Sequence, residues 1–127
     1  MDDDSVIIRD VTLRDGLQNL KDFIPTDVKV ELFRMIATSG IRKIEFTAFV
    51  SPKAVPQFRD ASQVARAVLS IKPEGVEICA LIPNLKGAQL ALEKVTGHHL
   101  GLNLLILRGY GSSSGSSMPA RTGLRST

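Results

Sequence analysis

Three short stretches that read as strands, the apolar run Val6-Ile7-Ile8, Ile41 to Thr47 and Val76 to Ile82, each lead into a stretch with helical periodicity. This alternation constrains the chain more than any other feature. Strands separated by helices, at about the 30-residue spacing of βαβ units, imply a parallel sheet with right-handed crossovers. Residues 5–95 therefore read as three successive β/α units of the α/β class. Three units close no barrel and complete no doubly wound sheet, since a (β/α)8 barrel takes about 250 residues.

The helical stretches carry their own signals. Thr26 is expected to cap the first helix, with Asp27 favourable at its positive end. Val28, Leu32, Met35 and Ile36 supply its apolar face, and Gly40 closes it in the left-handed region. Pro52 and Pro56 are expected to hold the next loop extended. Asp60, with Gln63 three residues on, resembles a capping box for a second helix faced by Ala61, Val64, Val68 and Ile71. Pro73-Glu-Gly75 is a turn, and Pro83 ends the third strand. Asn84 caps a third helix with Leu85, Ala88, Leu92 and Val95 on one side.

Chemistry concentrates just after the first strand, in Val11-Thr-Leu-Arg-Asp-Gly-Leu-Gln-Asn19. Arg14 and Asp15 stand before Gly16, and Gln18 and Asn19 follow it. A charged pair at the end of an apolar strand suits a barrel active site, where side chains converge from strand C-termini. Neighbours on a regular strand point to opposite faces, so the two share a pocket only where the pleat breaks. Gly16, free to take a backbone conformation closed to other residues, is expected to supply that break. The same residues also fit a solvated surface turn. Glu45 is a carboxylate within an apolar strand: it is either paired in the interior or turned outward to water. Cys79 has no evident activating partner and reads as a small buried hydrophobe.

Composition removes several function classes. At 43% hydrophobic and 23% charged, the 127 residues match a single ordinary globular domain. One cysteine allows neither a disulfide framework nor a cysteine-based zinc cluster. No apolar run approaches the roughly 20 residues of a membrane span. The opening Met-Asp-Asp-Asp is acidic where targeting peptides are basic, so a cytoplasmic location is expected. The net charge of +3 does not indicate nucleic-acid binding. Residues 1–94 balance 13 Lys and Arg against 13 Asp and Glu, and the excess is Arg108, Arg121 and Arg125.

From Thr96 the texture changes. Leu102 to Leu107 offers a fourth strand, then Gly111-Ser-Ser-Ser-Gly-Ser-Ser117 has linker composition, so 96–127 reads as an irregular tail. Adjacent histidines diverge on any regular element, which makes His98-His99 a loop pair rather than a ligand pair.

Asp10-x-Thr-Leu-Arg-Asp-Gly16 with Gln18 resembles the opening motif of the metal-dependent acyl-CoA lyases and condensing enzymes built on TIM barrels. Leu17, where the synthases carry Glu, makes Arg-Asp-Gly-Leu-Gln-Asn similar to the 3-hydroxy-3-methylglutaryl-CoA lyases. Three further stretches point to the same family: Ile44-Glu45, Phe49-Val-Ser-Pro-Lys53 with Val55-Pro-Gln57, and Pro83-Asn-Leu-Lys-Gly87. Together they cover about residues 5–94, as the N-terminal part of such a barrel. A related aldolase or synthase acting on another 3-hydroxyacyl substrate is the alternative within enzymes, and a non-catalytic fragment binding a partner through its open sheet edge the alternative outside them.

The resemblance implies retro-Claisen cleavage of the acyl-CoA substrate to acetyl-CoA and acetoacetate, as in leucine catabolism. It implies a divalent cation, Mg²⁺ or Mn²⁺, that polarises the substrate's oxygens. Asp15 matches the family's metal-ligand Asp, and Arg14 the Arg that stabilises the enolate-like thioester oxygen. Glu45 matches a supporting catalytic Glu, and Gln18 a substrate-side residue beside the metal. Ala48 stands where a hydroxyl residue is expected. The resemblance also implies homo-oligomers for full-length members. The family's His-x-His pair, its later Asn and its cysteine in a glycine-rich loop have no counterpart in this sequence. Residues 95–127 are accordingly expected to come from a frameshift, an alternative splice or a gene-prediction error, leaving a polypeptide that is inactive and poorly soluble by itself.

Overall fold

The computed structural model describes residues 5–95. Its elements are β1 (Arg9–Asp10), α1 (Thr26–Ala37), β2 (Lys43–Ala48), α2 (Ala61–Ile71), β3 (Glu77–Leu81) and α3 (Leu85–Val95). A π-helical turn at Thr12–Gly16 and a 3-10 turn at Pro56–Phe58 lie between them. The strands make one parallel sheet in the order β1-β2-β3, so the expected α/β architecture of three consecutive β/α units is the one observed. His98-His99, the Leu102 to Leu107 run and the Gly/Ser stretch lie outside the described residues.

Ile44 and Phe46 of β2 and Ile78 and Ala80 of β3 are buried in one cluster with Phe33 of α1, Val64, Ala65 and Val68 of α2, and Ala91 of α3. Each large side chain so buried contributes about 1.5–3 kcal/mol. The α2 face is the expected one. Gly40 and Gly75 take positive φ, 98° and 85°, at the turns that return the chain to β2 and β3.

Several local expectations are corrected. Val6, Ile7 and Ile8 are exposed rather than buried, because only Arg9 and Asp10 pair with β2, and β1 has a neighbour on one side only among the described residues. The buried positions of α1 are Lys29, Phe33 and Ala37; of the expected face Leu32 and Ile36 pack against the core, while Val28 and Met35 are exposed. Pro25, not Thr26, precedes that helix as its cap residue. The 51–58 loop is compact rather than extended: the Ala54 and Val55 amides both donate to the Ser51 carbonyl, and Pro56 opens the 3-10 turn. Asn84 does cap α3, accepting the Gly87 amide at 2.8 Å, but Leu85 and Leu92 are exposed and the helix packs through Ala88, Leu90 and Ala91.

Asp60 occupies the N-cap position of α2 without capping it through its side chain. Its carboxylate accepts instead from Lys29 Nζ at 2.7 Å and from the Thr26 hydroxyl at 2.7 Å. Lys29 Nζ also donates to the Gln57 carbonyl at 2.5 Å and lies 4.4 Å from the centre of the Phe23 ring. Gln57 in turn donates from Nε2 to the Asp22 carbonyl and accepts the Ile24 amide, both at 2.9 Å. This buried polar node replaces the capping box and explains the rotation of α1. A lysine can face inward only where its ammonium finds such partners. The node also ties the loop after β1 to the loop after β2.

Candidate active site

The turn that carries Arg14 is built from backbone hydrogen bonds. The amides of Arg14, Asp15 and Gly16 all converge on the Val11 carbonyl, at 3.2, 2.8 and 3.2 Å. Asp10 starts it, accepting the Thr12 amide and hydroxyl at 3.0 Å each. Leu13 and Leu17 are buried and anchor it to the core. The pleat therefore breaks where the charged pair stands, as expected, but a π-turn breaks it. Gly16 has no positive φ, so the conformational freedom expected of it is not what the turn uses.

The wider turn places Arg14, Asp15 and Gln18 together. Arg14 Nε donates to Glu45 Oε1 at 2.6 Å, and Arg14 Nη1 donates to Gln18 Oε1 at 3.2 Å. Nη1 also lies 3.4 Å from Asp15 Oδ1, a longer and weaker contact. The Glu45 side chain is 3% exposed, that of Arg14 20% and that of Asp15 65%. Glu45 is thus the paired, interior carboxylate and not the solvated one. It is aimed by an irregularity in β2: Glu45 pairs with Cys79 and Thr47 with Ala80, so Phe46 is an extra residue in the ladder. Bulges of this kind re-aim side chains beside sites.

All four sequence-designated residues gather at one end of the sheet. The cluster has one interior carboxylate fixing a guanidinium, whose Nη2 has no partner among the described residues, and one carboxylate turned to solvent. A permanently charged, directionally held donor of this kind suits a developing oxyanion. Asp15 alone is no cation site. Hard divalent ions take six or more oxygen donors, and no group of three metal-binding side chains occurs among the described residues. The described residues therefore do not by themselves fit the implied ion.

Cys79 is wholly buried, and burial pushes its thiol up to about 11, which leaves it unsuited as a nucleophile at neutral pH. Ala48 is buried too and offers the site no hydroxyl. Sequence reasoning missed Lys29, Gln57 and Asp60 as the supports of the loop. The signal was present in the four-residue spacing of Lys29, Phe33 and Ala37, which puts the lysine on the inward face.

Beside Gln18 an open cleft of about 460 Å³ separates the two loops, lined by Asn19, Lys21, Phe23, Gln57 and Arg59 among others. The Arg59 guanidinium stacks 3.7 Å from the Phe23 ring centre.

Known proteins are similar to this chain in sequence and fold. The mitochondrial hydroxymethylglutaryl-CoA lyase of Arabidopsis thaliana is 49% identical over 87 residues, 68% of this chain and 18% of that protein. The cytoplasmic 3-hydroxy-3-methylglutaryl-CoA lyase of Mus musculus is 44% identical over 87 residues, again 68% of this chain, and 25% of that protein. A hydroxymethylglutaryl-CoA lyase structure from Pseudomonas aeruginosa superposes with a TM-score of 0.65 at 40% identity, over 70% of this chain and 29% of that one. An HMG-CoA lyase from Acinetobacter baumannii, solved with coenzyme A and 3-methylmalate, matches with the same TM-score and identity, over 69% and 28%. The chain spans less than a third of the length of each of these relatives. The HMGL-like family model matches residues 5–99, three-quarters of the sequence and the whole of the Arg14 cluster, and the chain belongs to that family.

Proposed function

We propose that this chain carries the arginine side of a hydroxymethylglutaryl-CoA lyase active site. The reaction breaks a carbon–carbon bond in 3-hydroxy-3-methylglutaryl-CoA. The tertiary hydroxyl loses its proton and becomes the ketone of acetoacetate, and the bonding pair moves onto the acetyl-CoA fragment, which is then protonated. The observation that carries the reading is the Arg14–Glu45 contact of 2.6 Å, with Glu45 buried. Glu45 fixes the guanidinium from one edge, and Nη2 is left to meet the thioester oxygen as negative charge accumulates there. Gln18 holds Nη1 and borders the substrate. Asp15, exposed beside them, is the described residue suited to contribute an oxygen to a Mg²⁺ or Mn²⁺ ligand set. Because one carboxylate does not hold such an ion, the 127-residue polypeptide by itself is expected to be silent.

A chimera tests this. Residues 5–94 replace the matching segment of the Pseudomonas aeruginosa lyase, and acetoacetate formation is followed. The reading expects a working chimera, loss of at least about 100-fold on Arg14→Gln, and no turnover by the isolated chain. A soluble, folded chimera that cleaves nothing overturns the lyase assignment, whereas turnover by the isolated chain overturns the expectation that it is silent by itself.

A further inference from the structure

Two contacts fix where the Arg14 guanidinium points, and they come from elements of unequal stiffness. Nε donates at 2.6 Å to Glu45, a buried residue of β2, the central strand. Nη1 donates at 3.2 Å to Gln18, which rides on the loop between β1 and α1. The buried Leu13 and Leu17 anchor that loop on one side of Gln18. On the other side Asn19, Leu20 and Lys21 are exposed, and the next hold on the loop from another element is at Asp22 and Ile24. A planar fork aims its remaining edge only when the edges behind it are held, and a small misplacement of such a group is costly to a reaction.

The hold at Asp22 and Ile24 is the side chain of Gln57, which donates to the Asp22 carbonyl and accepts the Ile24 amide, both at 2.9 Å. Gln57 is placed in turn by Lys29, whose Nζ donates to the Gln57 carbonyl at 2.5 Å and to Asp60 Oδ1 at 2.7 Å. All three residues are buried, and Lys29 is only 3% exposed. A buried ion pair gains little or no stability over apolar residues of similar volume. What apolar residues do not supply is direction. The ammonium fixes a carbonyl in the loop after β2, and the side chain of that same glutamine fixes the loop after β1.

We propose that Lys29 is a positioning residue of the arginine site: through Gln57 it holds the far end of the loop that presents Gln18 to Arg14 Nη1. Glu45 fixes one edge of the guanidinium from the sheet, and Lys29 acts at a distance on the other edge. Lys29 touches neither Arg14 nor Gln18 and takes no part in the chemistry itself. For its effect on turnover the inference rests on the lyase reading and extends it. For its effect on the Arg14 side chain it stands on the contacts alone.

Two measurements test it. In the full 127-residue chain, NMR reads the rotation of the Arg14 guanidinium about its Nε–Cζ bond. Gln18→Ala and Lys29→Met should each speed that rotation, and the two together should speed it no more than Gln18→Ala alone, because Lys29 acts through Gln18. Lys72→Met also removes a lysine bonded to a carbonyl, that of Val76 at 2.8 Å, and should leave Arg14 unchanged. Rotation in Lys29→Met equal to that of the parent, or additive with Gln18→Ala, overturns the assignment. In the chimera, Lys29→Met should lower kcat by about tenfold to a hundredfold with KM little changed, and should add nothing to Gln18→Ala. Lys29→Met with Asp60→Leu separates positioning from stability: thermal stability should return in part while kcat stays low. A kcat that returns with stability overturns the assignment, since the lysine would then serve the fold alone. Rotation is read without turnover, so the two readings fail separately. Rotation coupled to Lys29 in a chimera that cleaves nothing fells the lyase reading alone, and a working chimera indifferent to Lys29 fells the positioning role alone.

Discussion

Arg14 and Glu45, 31 residues apart in sequence, meet at 2.6 Å with the carboxylate almost fully buried and the guanidinium one-fifth exposed. The burial is unequal, so the two losses are unequal. Arg14→Met strands an interior carboxylate and should cost about 3–5 kcal/mol, whereas Glu45→Gln keeps a hydrogen-bond acceptor and should cost less. Urea denaturation of the single variants and of Arg14→Met with Glu45→Gln checks this, and the double variant should be more stable than the sum of the two losses predicts.

Lys29 makes the second prediction. Lys29→Met leaves the Asp60 carboxylate buried and short of its ammonium, at a cost of about 3–5 kcal/mol. Replacing both, Lys29→Met with Asp60→Leu, should recover part of that. The node also holds the 22–24 backbone, so the Ile24 amide, bonded to Gln57 Oε1 at 2.9 Å, should exchange with deuterium faster in Lys29→Met. An unchanged rate at Ile24 would mean that Gln57 holds the loop without help from Lys29.

Periodicity was enough to read the α/β order, the three helices, Gly40, Gly75 and the Asn84 cap, because each of these depends on residues close in sequence. Glu45 stayed ambiguous in sequence, since pairing or solvation is decided by a residue 31 positions away. Thr26 and the Asp60 side chain show the same limit: both are good caps locally, and Asp60 does hold the N-cap position of α2, yet the two side chains found each other across 34 residues at 2.7 Å. Val6-Ile7-Ile8 has the composition of a buried strand, but burial needs neighbours that composition does not name. Family motifs brought Arg14, Asp15, Gln18 and Glu45 together in advance. The cleft at Arg59 and Phe23 carries no such motif and emerged only with the loops in place.

Gly87 sets two effects against each other. Alanine in a helix gains about 1 kcal/mol over glycine. A Cβ at position 87, however, would run into the Phe49 carbonyl oxygen, a backbone atom that cannot rotate away. Overpacking of this kind costs about 1–3 kcal/mol, and moving backbone sits at the upper end. Gly87→Ala should therefore lower the thermal midpoint, with α3 pushed away from the end of β2. A raised midpoint would show that α3 yields at little cost.

Cys79 ties stability to alkaline pH. Burial raises its thiol from 9.0 to about 11 against the opposing pull of Arg9, with Glu77 and Glu45 adding to the rise and Lys43 opposing it. Between those values the unfolded chain has released the thiol proton and the folded chain has kept it. The folded state then binds more protons, so stability falls as pH rises through this window. A two-unit separation corresponds to at most about 2–3 kcal/mol, fully present below pH 9 and lost by about pH 11. The comparison is with Cys79→Ala, in which the thiol's share of the slope disappears. Denaturation midpoints of both proteins at pH 8 and pH 10.5 measure it. Equal losses in the two would show that the thiol ionises alike in the folded and unfolded chains.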